Sequence, residues 1–407
     1  GQRRRAEGQK AGGADMRRLF ALLLVLALLP VVPARAAKDE ITVYNWGQYI
    51  SDGTDGSLDV IAAFEEATGI HVNYLTYDSN ESLYTKLKTG GASYDVIIPS
   101  DYMIGRLIEE DMLEPLNFDN IPNYQYVDEA FRNTAYDPEN RYSVPYTWGT
   151  VGVIYNSKYV DEADAGSWDL LWNSKYAGKI LMFDNNRDAF AIAESLLGYS
   201  LNTTDEASLR QCVQKLVEQK PILQGHVMDQ IYAKMEREEA WIAPYYAGDY
   251  LYMVEENPAL EFYFPEEGFN IFIDAMCIPK GAANQEGAEA FINFLCSPEI
   301  CGQNLEYLGY SSPLSAAKDY MDPELAANPI AYPSDEILAK GESFSALPTE
   351  TSQLMDSLWL SVKTAGSDVT RYLIAAGILV AAAAGLTIFL KLRRKRRLAR
   401  RGISRRM

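Results

Sequence analysis

The chain has 407 residues with a formal net charge of −19, too long for one ordinary domain, so two are expected. Its ends are basic: residues 1–38 hold eight Lys/Arg and two Asp/Glu, and residues 371–407 hold eleven Lys/Arg and no acid. The middle, 39–370, holds 18 basic against 54 acidic residues, a formal −36 that repels nucleic acid and attracts cations.

Residues 1–15 are polar and precede a plausible start methionine; they read as an over-long start or an unstructured leader. Met16-Arg17-Arg18, the apolar run Leu19 to Val32 and Ala34-Arg35-Ala36 form a signal-peptide pattern over 16–36. No cysteine follows at once, so a lipid-anchored N-terminus is not expected.

The outer body alternates strand and helix patterns. Ile41–Tyr44 reads as a strand that stops in Trp46, Gly47, Gln48 and Tyr49. Leu58 to Thr68 has helical spacing and stops at Gly69. Val72–Tyr77 is a strand, Ser79 opens a helix through Leu87, Tyr94–Ile98 is an apolar strand, and Met103–Glu109 is a helix. This β-α-β-α-β order predicts a parallel sheet with ligands beyond the carboxyl ends of its strands, where Trp46, Tyr49, Ser100 and Tyr102 fall. A second alternating block runs from about Trp148 to Asp274, with strands at Val151–Tyr155, Ile180–Phe183, Trp241–Ala243, Phe262–Phe264 and Ile271–Ile273. Helices are expected near Ser167–Trp172 and at Phe190–Leu197, Ser208–Val217, Gly287–Leu295, Pro298–Leu308 and Glu350–Lys363. The reading is α/β with two lobes: 39–147 plus 276–363, and 148–275.

Residues 372–390 are nineteen without a charge, enough to span nearly all of a ~30 Å hydrocarbon core. The basic tail, 391–407, follows at once, which puts the acidic body outside the cell and the tail inside. The expectation is a C-terminal transmembrane helix and an extracytoplasmic protein.

Four cysteines (Cys212, Cys277, Cys296, Cys301) contain no CxxC, and small buried thiols are the simpler reading of them. His71 and His226 alone do not build a His-rich metal site or a Ser-His-Asp triad. HExxH, nucleotide-binding glycine motifs and EF-hand spacing are absent, so no cofactor and no metal are expected. Paired carboxylates leave a membrane-anchored hydrolase as one alternative. Strand-end acids recur beside aromatic residues: Asp184 and Asp188 after Phe183, Asp249 after Tyr245 and Tyr246, Asp274 after Phe272. Carboxylates bind an ammonium by charge-assisted hydrogen bonds, and ring faces add about 0.5–2 kcal/mol each. For any one of these residues, a solvated acid or a core ring is the simpler reading; only the repetition favours a cationic ligand.

The stretches "YNWGQYI", "YDSNESLYTKLKTGGASYDVIIPSDYMI", "YSVPYTWGTVGVIYN", "SWDLLW", "FINFLCSPEI" and "LGYSSP" resemble the extracytoplasmic spermidine/putrescine-binding proteins of polyamine ABC transporters, over about Ile41 to Lys363. The resemblance implies a two-lobed, type II periplasmic-binding-protein fold that closes on a polyamine and docks on an ABC permease. It also implies a ligand set. Trp46, Tyr49, Ser100 and Tyr102 match the first- and third-strand residues, Asp188 and Asp274 match acids that bind amines, and Tyr246, Phe272 and Tyr310 match aromatic positions. Three positions depart from the spermidine binder. Asn185 replaces an aspartate, Phe344 falls near a glutamine position, and Asp249 resembles the putrescine-preferring branch. The same fold with ferric iron or another small cation is the further alternative.

Overall fold

The computed structural model describes residues 39–91 and 93–365. The leader, signal peptide, anchor and tail expected above lie outside these residues. Among the described residues no helix is long and apolar enough to cross a membrane.

In chain order the principal elements begin with β1 (Glu40–Trp46), α1 (Val60–Thr68), β2 (His71–Tyr77), α2 (Asn80–Thr89), β3 (Val96–Ile97) and α3 (Asp101–Glu109). The long strand β4 (Ser143–Asn156) follows, then β5 (Ile180–Phe183), α4 (Asn186–Leu197), α5 (Glu206–Gln219), β6 (Leu223–Val227), α6 (Ile231–Glu236), β7 (Ile242–Tyr246) and α7 (Ala247–Glu256). The chain continues through β8 (Leu260–Tyr263), β9 (Phe269–Cys277), α8 (Gln285–Leu295), α9 (Pro298–Leu308), β10 (Gly341–Ser343) and α10 (Thr349–Thr364). The helix expected near residues 167–172 is a 3-10 helix, Trp168–Trp172, capped by Ser167.

Two compact units form. Of the described residues, the first takes 39–148 plus Ile273–Ala326, and the second takes Gly149–Phe272 plus 327–365. In the first unit β1 lies between β2 and β3, all parallel, and β3 pairs antiparallel with β9 at Ile97–Cys277. Ile41, Val43, Val96 and Ile97 are fully buried on this sheet. Local chemistry sets the helix ends. Asp59 accepts from the Ala62 amide to start α1, and Gly69 ends it at φ 72, a left-handed conformation that suits glycine. Ser79 and Ser82 form a reciprocal capping box at α2.

In the second unit β5 is parallel to β6 and β7, while β7 and β8 run antiparallel to β4. Asn185 caps α4 by accepting from the Arg187 and Asp188 amides. β10 pairs with Phe269–Ile271, and α10 packs on α4 and α5.

The lobe assignment therefore needs correction. The sequence reading gave 276–363 wholly to the first lobe, but 327–365 belong with the second unit. α10 buries Thr351, Met355, Leu358 and Val362. That spacing announces a buried helical face without saying which unit covers it. Lys220 completes the attachment by donating to the Val362 and Lys363 carbonyls, both at 2.7 Å. All four cysteines are buried free thiols.

Gly152 on β4 has no room for a side chain. A Cβ there would stand 2.3 Å from the Phe262 ring and 2.6 Å from the Tyr263 carbonyl oxygen. That oxygen belongs to the paired strand β8 and cannot swing away. We expect Gly152→Ala to cost about 1–3 kcal/mol, the usual size of overpacking. A urea unfolding midpoint equal to wild type would contradict this account.

Candidate functional site

In the first unit the site begins where β1 ends. Asn45, fully buried, pins the turn after it: Oδ1 accepts from the Trp46 amide at 2.8 Å, and Nδ2 donates to the Tyr49 carbonyl at 3.1 Å and to the Tyr74 hydroxyl at 3.0 Å. Gln48 takes a positive φ of 48° inside that turn. Trp46, half-buried, donates its indole N–H to the Ile98 carbonyl at 2.8 Å, and Tyr77 donates to the same carbonyl at 2.7 Å. The Trp46 and Tyr77 rings lie 4.7 Å apart.

Tyr49 is held on three sides. Its ring meets Tyr310 edge-on at 5.0 Å and Tyr146 at 5.6 Å, and its hydroxyl donates to Asp274 Oδ2 at 2.7 Å while touching Thr147 Oγ1. Burial and the Asp274 charge push the Tyr49 phenol well above its ordinary value, so it remains a neutral donor. Asp274 sits on β9 opposite Ser100 in an isolated antiparallel bridge. It is 4% exposed, and its Oδ1 has no hydrogen-bond partner among the described residues. Burial pushes its carboxyl up to about 6, against the lowering pull of the Ser100 and Tyr49 hydroxyls. At neutral pH this is an ionised buried acid with one oxygen unsatisfied, a costly state that an added cation would relieve.

Ser100 and Tyr102 flank the start of α3 and are joined through Asn80, whose Nδ2 lies 3.1 Å from each hydroxyl. Tyr102 donates onward to Glu81 at 2.9 Å. The first-unit residues expected from sequence, Trp46, Tyr49, Ser100, Tyr102, Asp274 and Tyr310, are thus linked by direct contacts, by the Ser100–Asp274 backbone bridge, or through Asn45 and Asn80. Asn45, Tyr77, Asn80 and Thr147 escaped the sequence reading. The buried asparagine next to a predicted strand end was the available signal for the first of them.

In the second unit Asp188 accepts from Asn185 Nδ2 at 2.7 Å and from the Tyr246 hydroxyl at 2.8 Å. The Phe272 ring meets Tyr246 edge-on at 5.3 Å, and Phe183 lies 5.2 Å from Tyr246 on another side. Gly149 admits Phe272: a Cβ there would stand 2.7 Å from the ring. Asp249, in the first turn of α7, accepts from Tyr232, which sequence reasoning missed. Asp184 is engaged elsewhere, in an ion pair with Lys363. Phe344 is buried beneath the Arg187 guanidinium, 4.4 Å from its ring. No group of His, Cys, Asp and Glu able to hold a metal ion occurs among the described residues.

Comparison with known proteins shows the family. Residues 59–333 match the model of the bacterial extracellular solute-binding proteins, and the chain belongs to that family, whose members are solute binders rather than enzymes. It is 33% identical to the spermidine/putrescine-binding periplasmic protein of Salmonella typhimurium, over 79% of this chain and 91% of that one. It is 30% identical to the putrescine-binding periplasmic protein SpuD of Pseudomonas aeruginosa, over 86% of this chain and 99% of the relative. Its fold superposes on the spermidine/putrescine ABC transporter substrate-binding protein PotD from Streptococcus pneumoniae with a TM-score of 0.67 and 37% identity, covering 80% of this chain and 99% of that one.

The environment of Asp274 predicts a stability cost. Its folded carboxyl is raised to about 6 against 3.8 unperturbed, so the ligand-free fold holds this proton more tightly than the unfolded chain does. That stabilisation is complete below about pH 4 and is lost as pH rises through 6. Asp274→Asn should therefore melt higher than wild type at pH 7 without ligand, by on the order of 1–3 kcal/mol. It should also lose the wild-type decline between pH 4 and 6. A variant melting below wild type at pH 7 would show that the charged form is well accommodated.

Proposed function

We propose that the protein is the extracytoplasmic receptor of a polyamine ABC transporter, binding putrescine, spermidine or both and delivering them to its permease. The observation that carries this reading is Asp274, a buried acid with one oxygen unsatisfied and the other bonded to Tyr49, whose ring packs edge-on against Tyr310. An ammonium group supplies both the charge and the N–H donors that this oxygen lacks. Aromatic walls cover methylene carbons and attract the adjacent cation. In the second unit Asp188, Tyr246 and Phe272 repeat the combination of acid and ring, and Asp249 with Tyr232 adds a further acid. A polyamine offers ammonium groups joined by methylenes, the chemistry that an acid beside a ring accepts in each unit. The relatives named above bind spermidine and putrescine, and they support the same ligand class here.

The segment 372–390 serves as a C-terminal membrane anchor in this reading, with 16–36 as the export signal. Both rest on charge and hydropathy in the sequence. The anchor would hold the receptor beside its permease.

Calorimetric titration of residues 39–365 with putrescine, cadaverine, spermidine and spermine tests the proposal. Binding of at least one is expected at pH 7.5, with affinity falling up to about tenfold per pH unit below about 6 as the ligand-free Asp274 gains its proton. Asp274→Asn should lose at least about 2–5 kcal/mol of binding free energy. Absence of heat with every polyamine would overturn the ligand assignment, and an affinity flat from pH 7.5 to 5 would remove Asp274 from the site.

A further inference from the structure

In the second unit four consecutive residues lead into Asp188, and the C-terminal part of the chain holds three of them. Asp184, just past β5, pairs with Lys363 of α10. Asn186, the buried first residue of α4, donates from Nδ2 to Asp356 Oδ1 of α10 at 2.7 Å. Arg187, also buried, donates from Nη2 to the Ser345 carbonyl at 3.2 Å, and its guanidinium lies over the Phe344 ring. Asn202 closes the same corner. Its Oδ1 accepts from Arg187 Nη2 and from the Ser345 amide, both at 2.8 Å, and its Nδ2 donates to the Ser343 carbonyl at 2.9 Å. Asp356, Lys363 and Ser345 stand 158 to 179 residues further along the chain than the residues they hold. The fourth residue, Asn185, faces inward. It caps α4 and donates to Asp188 Oδ2, the atom that also accepts from Tyr246 on β7. The placement of Asp188 against Tyr246 therefore follows from where the turn sits, and 343–363 fix the turn.

We infer that the C-terminal segment from β10 to α10 is a latch that positions Asp188, with Asp356 and Lys363 as positioning residues that do not touch the ligand. This rests on the ligand reading above only in taking Asp188 as an ammonium acceptor. The contacts are unequal. The Asp184–Lys363 pair is part-exposed on both sides and holds weakly. The Asn186–Asp356 bond is charge-assisted and its donor is buried, so it holds more firmly. α10 is itself seated by Met355, Leu358 and Val362 and by the Lys220 ammonium on its last carbonyls. A helix that served only to cover apolar surface would need no polar bonds to the residues before the acid.

The test measures polyamine affinity by calorimetry and hydrogen–deuterium exchange of the 184–190 peptide by mass spectrometry, both on the full chain. Asn186→Ala changes no charge. It should speed exchange of that peptide severalfold and weaken the polyamine that binds by about three- to tenfold. In an Asp188→Asn background it should weaken binding no further. Asn186→Asp alone sets two carboxylates against each other and should bind as poorly as Asn186→Ala. Combined with Asp356→Asn, which exchanges donor and acceptor, it should recover wild-type affinity and exchange. An asparagine that merely stabilises the fold would lower the melting temperature and leave affinity in place, which overturns the inference. An equal loss in the Asp188→Asn background overturns it too. If Asn186→Ala does not fold, Lys363→Met decides. By charge alone, losing a cation strengthens polyamine binding, whereas a loosened turn weakens it, so a rise or no change overturns the inference. Wild-type protein that binds no polyamine would sink the ligand reading, and the latch would then stand or fall on exchange of the 184–190 peptide.

Discussion

Hydrogen-bond accounting around buried carboxylates organises the first unit. Asp137, Asp95 and Asp101 are buried to within a few per cent of Asp274. Asp137 accepts from the Arg141, Tyr142 and Ser143 amides and from the Ser143 hydroxyl. Asp95 accepts from the Thr42 and Asn284 amides on its two oxygens. Asp101 takes the Tyr102 amide, and more distantly that of Ile273. Each of these acids is a structural clamp, its charge spread over backbone donors. Asp274 receives a phenol on one oxygen and leaves the other unsatisfied. A fold that satisfies its other buried aspartates and leaves this one short stores a requirement that a ligand meets.

One other buried carboxyl among the described residues lacks hydrogen-bond partners, and its contrast with Asp274 is instructive. Glu194, on α4 in the second unit, has neither oxygen bonded, and burial pushes it up to about 8 despite the downward pull of the Arg187 charge. Glu194 therefore keeps its proton at neutral pH and needs no counter-ion. Asp274, at about 6, has mostly lost its proton there. Two orphan acids of similar burial thus play opposite parts. Part of the difference traces to the Tyr49 hydroxyl, which favours the charged form of Asp274 by hydrogen bonding.

Much of this was legible in the sequence because the site lies at strand ends. Alternation of strand and helix patterns located β1, β2, β3 and β5, and the acids and rings that follow them were read from their positions. Strand β6, with Gly225 and His226 in its centre, lacks the apolar run that marks its neighbours and was not recognised. The helix α10 was recognised but given to the wrong unit, since a buried face carries no address. Asp184 looked equivalent to Asp188 in the sequence, one residue beyond β5 instead of inside α4. Its engagement by Lys363, nearly 180 residues away, was invisible to local reasoning. Asn45 and Asn80 illustrate the deeper limit. Their importance lies in which atom faces which donor, and that is decided by partners brought together only in the fold.

The large acid excess of the body and the chemistry of the site are separate matters. Many exposed acids serve local ends. Asp59 and Asp205 cap helices, and Glu110 binds Lys88, Arg106 and the Tyr84 hydroxyl. Collectively they produce a negative field that concentrates any cation within about a Debye length, ~8–10 Å, of the surface. That field speeds encounter but cannot tell putrescine from a metal ion. Discrimination needs desolvated acids with directed neutral donors and ring faces, because only these count ammonium groups and cover the methylenes between them. Screening by salt should therefore slow capture far more than it alters which polyamine is preferred, since Asp274 and its hydroxyls are buried beyond the reach of the ionic atmosphere.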